Sequence, residues 1–290
     1  MVGRRSLLVT AVCLIAFALA PAPAQPSQST EDSGRLAAAL GELRPQRPGV
    51  VDAFVIVAAL DTDPVFGREA REAGRVLARR FGADGRSIVL AEDEAAERAD
   101  AAGTPGNLAL ALARSAALMD RDEDVLVLYT TSHGTPRAGL NYKHRLYGEG
   151  IITPDQLAAM LAQHGFRNRL LILQACFSGQ FVPALAAPRT VVATAASSMK
   201  PSFGCSPGND WTFFGHALIN QAMRKPDTLV RQFRRAFVSI IGWEKKLGMD
   251  PSNPQLSMGS ETGAWLGALE AGAATVPSAP VGRPPSEIGE

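Results

Sequence analysis

An α/β domain, with a mainly parallel sheet and helices on both of its faces, is the fold class this sequence predicts. Apolar runs of strand length alternate with stretches of helical period. Thr-Pro pairs stand ahead of two of the helical stretches, and polar or glycine-containing turns follow the runs.

Each element can be read in order. Residues 52–60 form a continuous apolar run, as a strand covered on both faces requires, and 66–81 carry apolar residues at helical spacing. Residues 86–90 are a second strand. Thr104-Pro105 opens a helix to about Met119, with threonine as cap and proline at the first helical position, where no N–H is needed. Residues 124–131 form a third strand, followed by a loop that holds His133. Thr153-Pro154 opens a helix to about Gln163, and 169–175 and 190–195 are further strands. A short helix from about Trp211, a longer one over 228–247 and a last strand at 254–258 complete the pattern.

The ends read differently. Arg4-Arg5, an apolar run from Leu7 to Ala20 and the small residues Ala22-Pro23-Ala24 predict a secretory signal over 1–24, hence an exported protein, periplasmic or secreted. That run is shorter than the roughly 20 residues of a membrane span, so no stable span is expected after cleavage. Residues 25–48, rich in Pro, Ser, Ala and Gln with one short helical stretch at 34–43, read as a linker. The domain then covers 49–271. Residues 272–290 are Pro-rich and aperiodic, and read as a disordered tail.

The formal charge of +1 and pI near 7.8 provide no basic field for a polyanion, and nucleic acid is not expected as a partner. Of three cysteines, Cys13 lies in the predicted signal, which leaves Cys176 and Cys205. They can be read as one disulfide or as a reactive thiol beside a structural one. The Cys/His spacing of a zinc site is absent, and no metal or organic cofactor is expected.

In an open parallel sheet, ligands bind outside the carboxyl ends of the strands. Two such ends carry chemistry: Thr131-Ser132-His133-Gly134 and Gln174-Ala175-Cys176-Phe177-Ser178-Gly179. A thiolate attacks a carbonyl carbon well, and an imidazole with an ordinary pKa near 6.5 can take the thiol proton and return it to a leaving amine. Gly134 lets its N–H approach a substrate, and the N–H of Cys176 is the natural second oxyanion donor. His144, His164 and His216 show no partner pattern and read as solvent-facing or loop residues. Ser178 lacks the first glycine of a Gly-x-Ser-x-Gly elbow, which weakens a serine hydrolase reading.

Thr-Ser-His133-Gly and Leu-Gln-Ala-Cys176-Phe-Ser-Gly, each behind an apolar strand, resemble the catalytic signatures of the legumain-type (C13) cysteine peptidases, which share a clan with caspases. The likeness covers most of residues 50–260, including Ala193 to Ser197, Ser202 to Cys205 and Asn209-Asp210-Trp211. It implies a caspase-like sheet, Cys176 as nucleophile, His133 as acid/base and no third charged member. It also implies a specificity pocket near Ser197 and Asp210, with Asp210 accepting from an amide or pairing with a basic side chain. Arg68, or Asp61, stands where the family keeps residues that orient the histidine and bind substrate; Phe177 replaces an acidic residue common after the cysteine. The expected activity is hydrolysis of peptide bonds in a peptide or protein substrate through a Cys176 thioester. The alternatives are transfer of that thioester to an amine, and a non-catalytic binding domain with a Cys176–Cys205 disulfide. The sequence specifies neither substrate nor oligomeric state.

Overall fold

The computed structural model describes residues 30–93, 97–272 and 278–288. Its main sheet has six strands: β1 (Ala53–Ala59), β2 (Ser87–Leu90), β3 (Val125–Thr131), then, past the three short strands introduced below, β7 (Asn168–Gln174), β8 (Thr190–Thr194) and β9 (Gln255–Met258), in the order β2-β1-β3-β7-β8-β9. All neighbours are parallel except β8 and β9, so the α/β class holds, with an antiparallel strand at one edge.

Strand periodicity explains why the central runs are apolar throughout. Val55, Val57, Val127 and Tyr129 face one layer; Phe54, Ile56, Leu126 and Leu128 face the other. The first layer is closed by α2 (Pro64–Arg80), α7 (Leu229–Leu247) and α8 (Thr262–Ala271), which contribute Phe66, Phe233 and Trp265. The second is closed by α1 (Thr30–Glu42), α3 (Pro105–Leu118) and α4 (Pro154–Gln163), with Leu36, Leu108 and Leu157. Each such fully buried side chain contributes about 1.5–3 kcal/mol. The Thr-Pro caps form as read: Thr104 accepts from the Asn107 N–H, and Thr153 makes a reciprocal capping box with Gln156.

Three regions depart from the sequence reading. The loop after His133 is a small antiparallel sheet of β4 (Gly134–Thr135), β5 (Gly139–His144) and β6 (Gly148–Ile152). Its strands are short and β6 is mostly exposed, so they carry no apolar alternation. Residues 30–43 are no spacer: Leu36 and Leu43 are core residues, and buried Asp32 accepts from the Ala102 N–H and the Asn107 amide. Residues 278–288 lie against the domain through backbone hydrogen bonds, which leave no apolar pattern to read. The predicted signal, 1–24, lies outside the described residues. Among those described, no helix is long and apolar enough to cross a membrane.

Candidate active site

The register of β3 on β7 positions the two reactive residues. Thr131 lies opposite Gln174, and the Ser132 N–H donates to the Gln174 carbonyl at 3.1 Å. His133 and Cys176 therefore each stand two residues past a matched pair. A Cβ on Gly134 would lie 2.0 Å from the Cys176 carbonyl oxygen, so only glycine permits this approach. The Asn141 N–H donates to the His133 carbonyl at 3.0 Å, which makes Gly134–Leu140 the non-hydrogen-bonded pair of the β4–β5 ladder. The Gly134 N–H consequently points away from β5.

Cys176 is followed by a sharp turn. Phe177 is left-handed (φ 58°, ψ 15°), unusual for a bulky residue, and leads into a 3-10 turn at Ser178–Phe181 that continues as the short helix α5 (Val182–Leu185). The turn is held by the Phe177 N–H on the Lys200 carbonyl at 2.9 Å and the Gly179 N–H on the Ala196 carbonyl at 2.9 Å. Half-buried Cys176 receives the Ser202 N–H on its sulfur at 3.3 Å. Cys176 and Cys205 are both free thiols, with no disulfide between them. Burial pushes the Cys205 thiol well up, and the nearby Cys176 adds to this, so Cys205 stays protonated.

His133 has a charged partner that the sequence reading did not expect. Its Nε2 lies 2.8 Å from Asp63 Oδ2, and its ring meets Phe66 edge-on at 4.9 Å. Asp63 occupies the N-cap of α2 but makes no side-chain cap bond, leaving its carboxylate for the histidine. A carboxylate only accepts, so Nε2 carries a proton, and in the neutral ring Nδ1 keeps the lone pair. Asp61, read as a possible orienting residue, accepts from the Asp63 N–H at 3.1 Å and so shapes the turn. Asp63 directly ahead of Pro64 would have been the available signal, but it reads equally well as an ordinary cap. Donor atoms of Asp61, Asp63 and His133 lie within 4.8 Å of one another, a set that can hold a cation only in competition with the His133–Asp63 hydrogen bond.

The predicted pocket residues separate into two groups. Arg68 and Asp210 meet, Nε to Oδ1 at 2.9 Å, and Arg68 also donates to the carbonyls of Asn209 and Pro207. Burial alone would raise the Asp210 carboxyl, but the hydrogen bonds and charge of Arg283, with the charge of Arg68, hold it below the ordinary carboxylate range. The helix cap here is Thr212, which serves α6 (Phe213–Gly215), the start of a helix continued as a π-helix over His216–Ala222. Ser197 is not joined to this pair. Its N–H donates to the Ser252 carbonyl at 2.9 Å, on the loop that brings Ser202 to the Cys176 sulfur. Glu69, which the sequence did not single out, is fully buried and accepts from the Tyr129 hydroxyl at 2.6 Å and the Thr212 N–H at 2.7 Å. It fastens the 209–212 loop to α2 and β3.

Two other histidines are not the solvent-facing residues expected. His144 is buried and pairs with Glu92 at 2.8 Å. His216 is buried in the π-helix beside Asn220, and desolvation pushes its pKa down to about 4.

A thiol and an oriented imidazole stand at adjacent strand ends, a pairing that can carry acyl-transfer chemistry. The chain belongs to the Peptidase C13 family, whose model matches residues 104–263, more than half of its length. Among solved structures it is similar to caspase-1 from Spodoptera frugiperda, at 12% identity over 72% of this chain and 86% of that one, with a TM-score of 0.49. It is also similar to pro-sf-caspase-1, at 11% identity over 71% and 87%, with a TM-score of 0.47. A comparison with curated proteins returns no match.

Proposed function

We propose that this protein is a cysteine endopeptidase that hydrolyses peptide bonds through a Cys176 thioester. The observation that carries the reading is the placement of His133 and Cys176 at matched ends of adjacent parallel strands, with Gly134 against the Cys176 carbonyl.

In the acylation step, His133 Nδ1 takes the thiol proton and the Cys176 sulfur attacks the substrate carbonyl carbon. The oxyanion accepts from the Gly134 and Cys176 N–H groups. As the C–N bond breaks, His133 returns the proton to the departing amine, leaving the thioester. Water, deprotonated by the same nitrogen, then releases the acid and the thiol. Asp63 holds the ring and balances the imidazolium formed in each half-reaction. Arg68 and Asp210 line the substrate pocket. We place the mature enzyme outside the cytoplasm, on the N-terminal signal pattern.

The test is cleavage of a mixed fluorogenic peptide library by the purified protein under mild reductant, alongside Cys176→Ala and His133→Ala. Loss of activity in both variants is expected. Activity that survives Cys176→Ala would sink the proposal.

A further inference from the structure

The segment 278–288 crosses the loop that carries Asp210 and is held there partly by its own backbone. The Val281 carbonyl accepts from Trp211 Nε1 at 2.8 Å, the Val281 N–H donates to Asn220 at 3.0 Å, and the Ser286 N–H donates to Asn209 at 3.0 Å. Side chains add sequence specificity: Ser278 accepts from Arg224, Glu287 accepts from Asn209 and Ser206, and Arg283 meets Asp210 itself. Arg283 reaches Asp210 Oδ1 through Nη2 at 2.8 Å while its own N–H donates to Oδ2 at 2.6 Å. Gly282, at φ +75°, allows this approach: a Cβ there would come within 3.0 Å of Asp210 Oδ2. Pro284 and Pro285 restrict the backbone beyond it, which then enters a 3-10 turn at Ser286–Ile288.

Arg283 does not hold the core together, since its side chain is 65% exposed. Arg68, by contrast, spends donors on the carbonyls of Pro207 and Asn209 and braces the loop. The carboxylate of Asp210 therefore has a fixed guanidinium on its inner side and an exchangeable one on its outer side.

Resting on the peptidase reading above, we infer that residues 278–288 are an internal ligand of the Asp210 pocket, and that the substrate side chain this pocket takes in their place is a basic one, arginine first. The segment presents an arginine from a chain anchored by its own backbone N–H and carbonyl groups, as a bound peptide substrate would be. A substrate must displace Arg283 before its own side chain can pair with Asp210.

The test uses the full chain carrying Arg283→Ala, alone and with Asp210→Asn. Peptides that differ only in Arg, Lys, Asn or Leu before the scissile bond report kcat/KM. The same proteins carrying Cys176→Ala report binding of a labelled Gly-Arg-Pro-Pro peptide by fluorescence anisotropy, without turnover. Removing the charge-assisted contacts of Arg283 is expected to raise kcat/KM for the Arg peptide about tenfold and to expose saturable peptide binding. Both gains should vanish with Asp210→Asn. An equal gain for all four peptides, or binding indifferent to Asp210, overturns the inference. Binding that depends on Asp210 with no turnover in any variant would instead count against the peptidase reading alone.

Discussion

The central strands carry polar residues at both ends, and the two ends have opposite characters. At the amino ends, Asp52 is buried and paired with Arg47 at 2.7 Å and Arg86 at 3.4 Å. Asp124 is buried and accepts from the N–H groups of Asp52 and Asp120, and Asn168 ties down the carbonyls of Glu123 and Asp124. At the carboxyl ends, His133 and Asp63 are 37% and 42% exposed, and Asp63 occupies only one of the two imidazole nitrogens. Buried and saturated polar groups hold a fold; half-exposed groups with spare capacity do chemistry. A polar residue at a strand end is thus read by its satisfaction, not by its type.

That contrast can be broken by mutation. The largest effect is expected at the carboxyl ends: Cys176→Ala and His133→Ala should each reduce kcat/KM by about 10⁴-fold or more. Thermal unfolding should show their stability lowered by about 1 kcal/mol at most, as for half-buried positions outside the core. A large stability loss would make these residues structural.

At the amino ends the expectation inverts. Asp52→Ala leaves Arg86, itself buried, without its counter-charge and should cost about 3–5 kcal/mol in urea unfolding. The kcat of the folded fraction should stay at the wild-type value. Asp63→Asn lies between the two in activity: it removes the acceptor that fixes the His133 tautomer and should lower kcat by about 10²-fold, less than at a fully buried triad. Asp63→Glu should recover part of that loss, which a purely structural role would not predict.

The smallest effect is a pH slope. Burial raises the Asp124 carboxyl to about 6, so between the ordinary carboxylate value and that point the folded protein binds more protons than the unfolded chain. Stability should therefore fall as pH rises through this window, by the contribution of at most one proton. Asp124→Asn should flatten that slope in unfolding measured from pH 4 to 7.

The same contrast explains what the sequence disclosed. Strands such as 125–131 and 168–174 are legible because burial on both faces demands unbroken apolar runs, and the topology of a parallel sheet then points to His133 and Cys176. Asp63 was not legible, since an aspartate before Pro64 serves a helix N-terminus as readily as a histidine. Glu69 sits in α2 among residues of helical period, and only the tertiary structure brings Tyr129 and Thr212 to it. The small β4–β5–β6 sheet rests on backbone hydrogen bonds, which any sequence can make, and the 278–288 segment adds to such bonds a few polar side chains without periodicity.

The first turns of α2 have a consequence for anyone who would re-engineer this protein. Asp63 and Phe66 contact the histidine, Arg68 braces the Asp210 loop and Glu69 anchors Thr212, all within seven residues of one rigid rod. Under the proposed function, reactivity and selectivity are geared together at that helix, and a substitution that tilts it is expected to disturb both. The 278–288 segment meets Asp210 and, among the described residues, makes no hydrogen bond to His133 or Cys176, so on the proposed reading it is the place where a new preference could be grafted without retuning the chemistry.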